Sequence, residues 1–224
     1  MKFLLLFALP LFFFILHVDA QEIKNPSLVI ETIEIPSNEF NTVARDSSVH
    51  LLEQTHAVSW QVTIDNNLLY RNPDGNAVIR LYDKNIPDKF IEVGMGSPPA
   101  QKFWVAVQIP DDEGYIVVHS DTERGWNQAA KTIVSYTDRA GMTVNNGARI
   151  VVSNLDIENF AVSSYSTHGM ESSTDPPAIN SGIMIVEFLS GDPAKNTFAF
   201  FPFYITAAVG IVVGMLFLTK KRGS

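Results

Sequence analysis

The chain contains no cysteine, and that absence removes several function classes. Thiol catalysis, thiol redox exchange and cysteine-ligated zinc are excluded, as are most disulfide-framework families and immunoglobulin domains with the usual inter-sheet bridge. N-glycosylation signals are missing too. Asn25-Pro26-Ser27 is the only near match, and proline at its middle position disqualifies it. No face is committed to N-linked glycan, which leaves the whole surface open to contact protein. Positive charge is scarce. With both chain ends set aside, residues 21–197 hold 12 Lys and Arg against 23 Asp and Glu, a net charge of −11. Such a surface repels nucleic acid and anionic lipid, so no nucleic-acid partner is expected. No glycine-rich phosphate loop or βαβ alternation argues for a nucleotide-binding fold.

What the chain does have is an apolar run at each end. Lys2 supplies a short positive region and residues 3–16 are almost entirely Leu, Phe and other apolar side chains. Val18-Asp19-Ala20 follows, so residues 1–20 read as a cleaved signal peptide with Gln21 as the mature N-terminus. Near the other end, residues 198–218 carry no charge and are fenced by Lys195 and by Lys220, Lys221 and Arg222. At about 1.5 Å per residue this run crosses a hydrocarbon core of roughly 30 Å. Ser190-Gly191-Asp192 ahead of it resembles a lipid-anchor attachment signal. The cations that follow the run are instead what the positive-inside rule places on a cytoplasmic flank. The expectation is a single-pass type I membrane protein, with residues 219–224 as a short basic cytoplasmic tail. Lys220, Lys221 and Arg222 match a dibasic retrieval signal imperfectly, so plasma membrane and endoplasmic reticulum both stay open.

Between the ends lies about one domain's length of chain. In an oxidising compartment, a domain without disulfides must hold together by burial. Residues 28–35, 57–64, 77–82, 89–93, 102–109 and 114–119 read as strands, divided by turn chemistry such as Asn72-Pro73-Asp74-Gly75. Residues 149–153, 157–162 and 183–189 read as three more. Helical spacing of Trp126, Ala129, Ala130, Ile133, Val134 and Thr137, with Ser120 and Glu123 as a capping box, favours one short helix within 121–139. The competing reading is a loop followed by a strand at 131–136. Residues 163–182 read as a polar loop or linker, and 190–197 as a membrane-proximal spacer. The predicted fold is therefore mainly β: an antiparallel β-sandwich or jelly roll over 21–162, completed by the strand at 183–189. If that last strand joins the sheet, about eight residues at up to ~3.5 Å each hold the domain within about 30 Å of the lipid.

No catalytic constellation emerges. His50, His56, His119 and His168 are scattered without metal-helix spacing, and each reads as a surface or turn histidine. Ser166-Thr167-His168 lacks the surroundings of a nucleophile elbow. Asp111-Asp112-Glu113, with Asp121 and Glu123 nearby, offers carboxylates for calcium, but a charged hairpin turn is favoured and no metal or cofactor is assigned. Trp60 and Trp104 are expected in the core. Trp126 is the tryptophan expected nearest solvent, although burial against the sheet is favoured for it as well. The segment His56-Ala57-Val58-Ser59-Trp60 resembles the tryptophan-bearing second strand of fibronectin type III modules, and the later spacing departs from that pattern.

These readings point to a non-enzymatic ectodomain that binds a partner protein, as an accessory or assembly subunit of a membrane complex. The alternative is a cell-surface recognition module for a glycan or another cell's protein. Thr206, Gly210 and Gly214 repeat at four-residue spacing on one face of the predicted span, where small side chains let a second helix approach. Gly210→Leu combined with Gly214→Leu is expected to abolish self- or partner association in a membrane two-hybrid assay. An unchanged signal would remove that packing face.

Overall fold

The computed structural model describes residues 29–110 and 114–190. The predicted signal peptide, the spacer, the span at 198–218 with Thr206, Gly210 and Gly214, and the basic flank of Lys220, Lys221 and Arg222 lie outside the described residues. So does the acidic turn at 111–113. Among the described residues no helix is long and apolar enough to cross a membrane.

Among the described residues twelve strands form where β-branched and aromatic runs are broken by turn residues. They are β1 (Val29–Pro36), β2 (Val49–His56), β3 (Ser59–Tyr70), β4 (Asn76–Asp83), β5 (Phe90–Gly96) and β6 (Phe103–Ile109). Then follow β7 (Gly114–Asp121), β8 (Thr132–Thr137), β9 (Gly141–Asn145), β10 (Ile150–Leu155), β11 (Val162–His168) and β12 (Ile179–Ser190). Neighbours pair antiparallel into two six-stranded sheets, ordered β1-β12-β3-β8-β9-β10 and β2-β11-β4-β5-β6-β7. One continuous apolar layer joins them, drawing Val62, Ile64 and Phe188 from the first sheet and Ile79, Val93 and Val105 from the second. The expected antiparallel β-sandwich is observed.

The helix expected within residues 121–139 does not form. A loop carries the chain to β8, which lies between β3 and β9. Within β8, Thr132, Val134 and Tyr136 are buried while Ile133, Ser135 and Thr137 are less so. That is period two, and two flanking ladders outweigh the weak preference of an isolated capping box. Gly141 opens the following strand, β9.

The polar stretch at 163–182 is not a linker throughout. Its first part is β11, which sits inside the second sheet between β2 and β4. It looked like a loop because Ser164, Ser166 and His168 face away from the core, where polar side chains are tolerated. The strand expected at 157–162 is replaced by a loop that buries Ile157 and Phe160. Strands β2 and β9 were not anticipated.

Each sheet leaves two edges, and side chains tie those edges in pairs. On one side the Glu53 amide of β2 donates to Glu31 Oε1 of β1 at 3.0 Å. On the other, Arg149 at the β10 end donates to Asp121 Oδ2 of β7 at 3.0 Å. Val29 pairs with Ser190, so the described chain enters and leaves at the same end of the first sheet.

The strand predicted from residue 57 begins only at Ser59, because Val58 adopts a φ of 67° and points to solvent. A β-branched residue in the left-handed region is strained by about 1–3 kcal/mol. Val58→Asn relieves that strain at an exposed position. Its expected effect is a rise in melting temperature of roughly 2–4 °C, measured by calorimetry on the full chain; no rise would mean the turn is unstrained.

Candidate functional site

The outer face of the second sheet is unusual because its central strands are buried there, although Val49, Leu51, Tyr115 and Val117 on its two edge strands are exposed. Antiparallel register sets its outward side chains in three cross-strand rows. The first runs His168, Val78, Gly94, Trp104 and Ser120. The second runs Val49, Ser166, Arg80, Glu92, Ala106 and Val117. The third holds Leu51, Ser164, Tyr82, Phe90, Gln108 and Tyr115. Val78, Glu92, Ala106, Ser164, Ser166 and His168 are all buried although they face away from the sandwich interior.

Glu92 organises this face. Its Oε2 accepts from Arg80 Nε at 2.7 Å, and its Oε1 accepts from Trp104 Nε1 at 2.9 Å and Tyr115 Oη at 2.7 Å. Burial alone would raise the carboxyl's pKa. The bonds from Trp104, Tyr115 and Arg80, with the Arg80 charge, outweigh burial and hold Glu92 below its ordinary range. Burial and the Glu92 carboxylate together push the Tyr115 phenol up. Arg80 also lies over the Phe90 ring, 4.6 Å from its centroid. Tyr82 and Ser166 complete the polar set, their hydroxyls 2.9 Å apart.

Of the partners of Glu92, Tyr115 is exposed and Trp104 is half-buried. Trp104 pairs directly with Gly94, and a Cβ built on residue 94 would lie 2.0 Å from the indole Cε2. The missing side chain lets the ring lie flat on the backbone of β5, and the bond to Glu92 pins its edge. One ring face meets the sheet. Beyond it opens a cleft of about 400 Å³ lined by Asn76, Lys102, Trp104, His168 and Glu171, among others. A second hollow of about 450 Å³ shares Lys102 and Glu171 and continues toward Asp74 and Asp175. Both volumes fall within the roughly 300–1,000 Å³ of small-ligand sites.

His168 forms the wall opposite. The residue is 9% exposed, and its Nδ1 is buried with no hydrogen-bond partner among the described residues. Burial, followed by the Arg80 charge, pushes its pKa down to about 4 against the opposing pull of Glu92, so it is neutral at physiological pH.

The remaining candidates are placed as follows. His56, expected at the surface, is fully buried between the sheets. It stacks on Phe188, 3.5 Å from Glu31 Oε2, and burial lowers its pKa. His50 stacks on Tyr165. His119 hydrogen-bonds Asp121 at 3.0 Å. The His119 bond and the Arg149 charge hold Asp121 below its usual range, so that carboxylate is already engaged by these two side chains. No group of three potential metal ligands is found among the described residues. Trp60 is buried as expected, donating to Phe160 O at 2.9 Å, and Trp126 is buried, donating to Gly96 O at 2.9 Å. Trp104 reverses the expectation of a core position, because its parity in β6 is opposite to that of Phe103, Val105 and Val107, which fill the core. The sequence signal that was present is the Gly94-x-Gly96 pair in an otherwise apolar strand, a mark of close approach.

No protein-family model and no curated protein matches the chain. Among solved structures, it is similar to a fructofuranosidase from Schwanniomyces occidentalis complexed with fructosylnystose. The identity is 12% and the TM-score 0.47, over 74% of this chain and 35% of that one. The chain thus spans about a third of that enzyme's length. It is also similar to lectin II from Ulex europaeus at 8% identity and a TM-score of 0.39, over 73% and 93% of the two chains. At these values neither likeness carries an argument about function.

A neutral, buried His168 makes stability depend on pH. Its folded pKa of about 4 lies below the ordinary 6.5, so the unfolded chain binds more protons between those values. Its contribution is complete above pH 6.5 and is lost as pH falls toward 4, on the order of 3 kcal/mol in all. Unfolding free energies measured between pH 7 and 4 are expected to fall less steeply for His168→Asn than for wild type. Parallel profiles would mean the imidazole titrates normally.

Proposed function

We propose that the chain is a single-pass type I membrane protein carrying a non-catalytic recognition domain, whose ligand lies on the outer face of the second sheet. The observation that carries this reading is a single cleft lined by both the pinned indole of Trp104 and the buried His168, whose Nδ1 has no partner among the described residues. Binding sites gain affinity when their polar and aromatic groups are oriented before the ligand arrives. Here Glu92 does the orienting. Glu92 is buried and both its oxygens are taken by the three donors Arg80, Trp104 and Tyr115, which supports an orienting role over a reactive one. The uncharged run at 198–218, followed by Lys220, Lys221 and Arg222, supports attachment to a membrane.

A second reading, an accessory subunit docked on a partner protein, is favoured by a different surface. Val49 and Leu51 on the edge strand β2 are 56% and 84% exposed, and exposed apolar side chains on an edge strand suit protein contact. The two readings separate in one experiment. The full chain, tagged after Gln21, is expressed in cells as wild type, Trp104→Ala or Leu51→Glu, crosslinked on the intact surface, solubilised and recovered. Captured material lost with Trp104→Ala and kept with Leu51→Glu is the expected result. A co-purifying protein lost only with Leu51→Glu would establish the accessory role instead. Labelling only after permeabilisation would move either role inside the secretory pathway.

A further inference from the structure

We infer that the cleft beside Trp104 binds an uncharged saccharide, one pyranose ring stacking on the indole face turned away from Gly94. This rests on the reading of that face as the recognition surface and names the chemistry it would take. A pyranose is two-sided in a way few other ligands are. One face is a patch of C–H bonds with slight positive charge, which suits the negative face of an aromatic ring. The rim is a ring of hydroxyls, each both donor and acceptor. The cleft offers the matching halves in register: Trp104 as the platform, and Asn76, His168, Lys102 and Glu171 around it.

Three further features favour this ligand over other flat molecules. The platform is fixed in advance, by the bond from Nε1 to Glu92 and by the absent side chain of Gly94, so stacking costs little ordering of the protein. The lining is balanced, with Lys102 against Glu171 and a histidine held neutral, which matches an uncharged partner. The surrounding domain is strongly acidic, so phosphorylated nucleotides, uronates and sulfated sugars approach against its field. The adjoining hollow that shares Lys102 and Glu171 extends the groove past one ring, which points to an oligosaccharide and not a free monosaccharide.

The test uses the full chain in a detergent without a sugar headgroup, probed with an array of neutral gluco-, manno-, galacto- and xylo-oligosaccharides beside uronate-containing and sulfated ones. Binding to at least one neutral series is expected, with a change in tryptophan fluorescence, a loss of ten-fold or more in Trp104→Ala, and no change in Leu51→Ser. Should Trp104→Ala fail to melt cooperatively, Asn76→Ala is read in its place, with a several-fold loss expected. Binding only to charged saccharides, or neutral binding indifferent to both cleft variants, overturns the inference. If no saccharide binds but material crosslinked on cells is still lost with Trp104→Ala, the recognition face stands and the saccharide assignment falls. If that material is also unaffected, both fall.

Discussion

With no disulfide to staple them, the two sheets are held by the side chains that meet between them, and the long ladder between β3 and β12 decides which side chains those are. Val62 stands opposite Phe188, Ile64 opposite Val186 and Asn66 opposite Met184, all buried. A slip of one residue would turn every one of these outward and bring Thr63, Asp65 and Glu187 into the apolar layer. Near the far end of the ladder Gly182 takes a φ of 97°, and a Cβ there would meet Asn67 O at 2.3 Å. The bulge between Ile179 and Ser181 is accommodated there without disturbing the pairs that build the core.

Once that register is set, the outer face of the second sheet follows by parity. Burying Ile79, Ile91, Val93, Val105 and Tyr165 sends Arg80, Glu92, Trp104 and Ser166 to the other side. Four ionic or polar side chains on one face would ordinarily be solvated. Here Arg80 and Trp104 bond to Glu92 and Ser166 pairs with Tyr82, with the rings of Phe90, Tyr82 and Tyr115 packed beside them. The cost of taking the Arg80–Glu92 pair out of water is offset only because Glu92 has two further donors. What the pair provides is orientation, since it fixes Trp104 at the edge of the cleft.

The seam between β1 and β2 is a different matter. Both ring nitrogens of His56 and Glu31 Oε2 are buried without hydrogen-bond partners. We have no physical account of why a polar pair is kept there at a separation of 3.5 Å. Its consequence is that acid acts on two buried histidines, His56 inside the sandwich and His168 outside it.

Alternation is a local property, and so the all-β class, the strands β1, β4, β5, β6 and β7 and the turns between them were legible in the chain itself, together with the absence of thiol chemistry and the acidic surface. The helix within 121–139 was misread because its apolar spacing suited both periods, and only the ladders from β3 and β9 select the strand. Strand β11 was hidden because Ser164, Ser166 and His168 look like loop residues until β2 and β4 flank them. The site was the least legible part. Arg80, Glu92, Trp104 and His168 come from four different strands and are separated by up to 88 positions in sequence. Arg80, Glu92 and Trp104 sit twelve residues apart on the consecutive strands β4, β5 and β6, but His168 joins them only when β11 pairs with β4, because a sheet sets its contacts by register and not by distance along the chain.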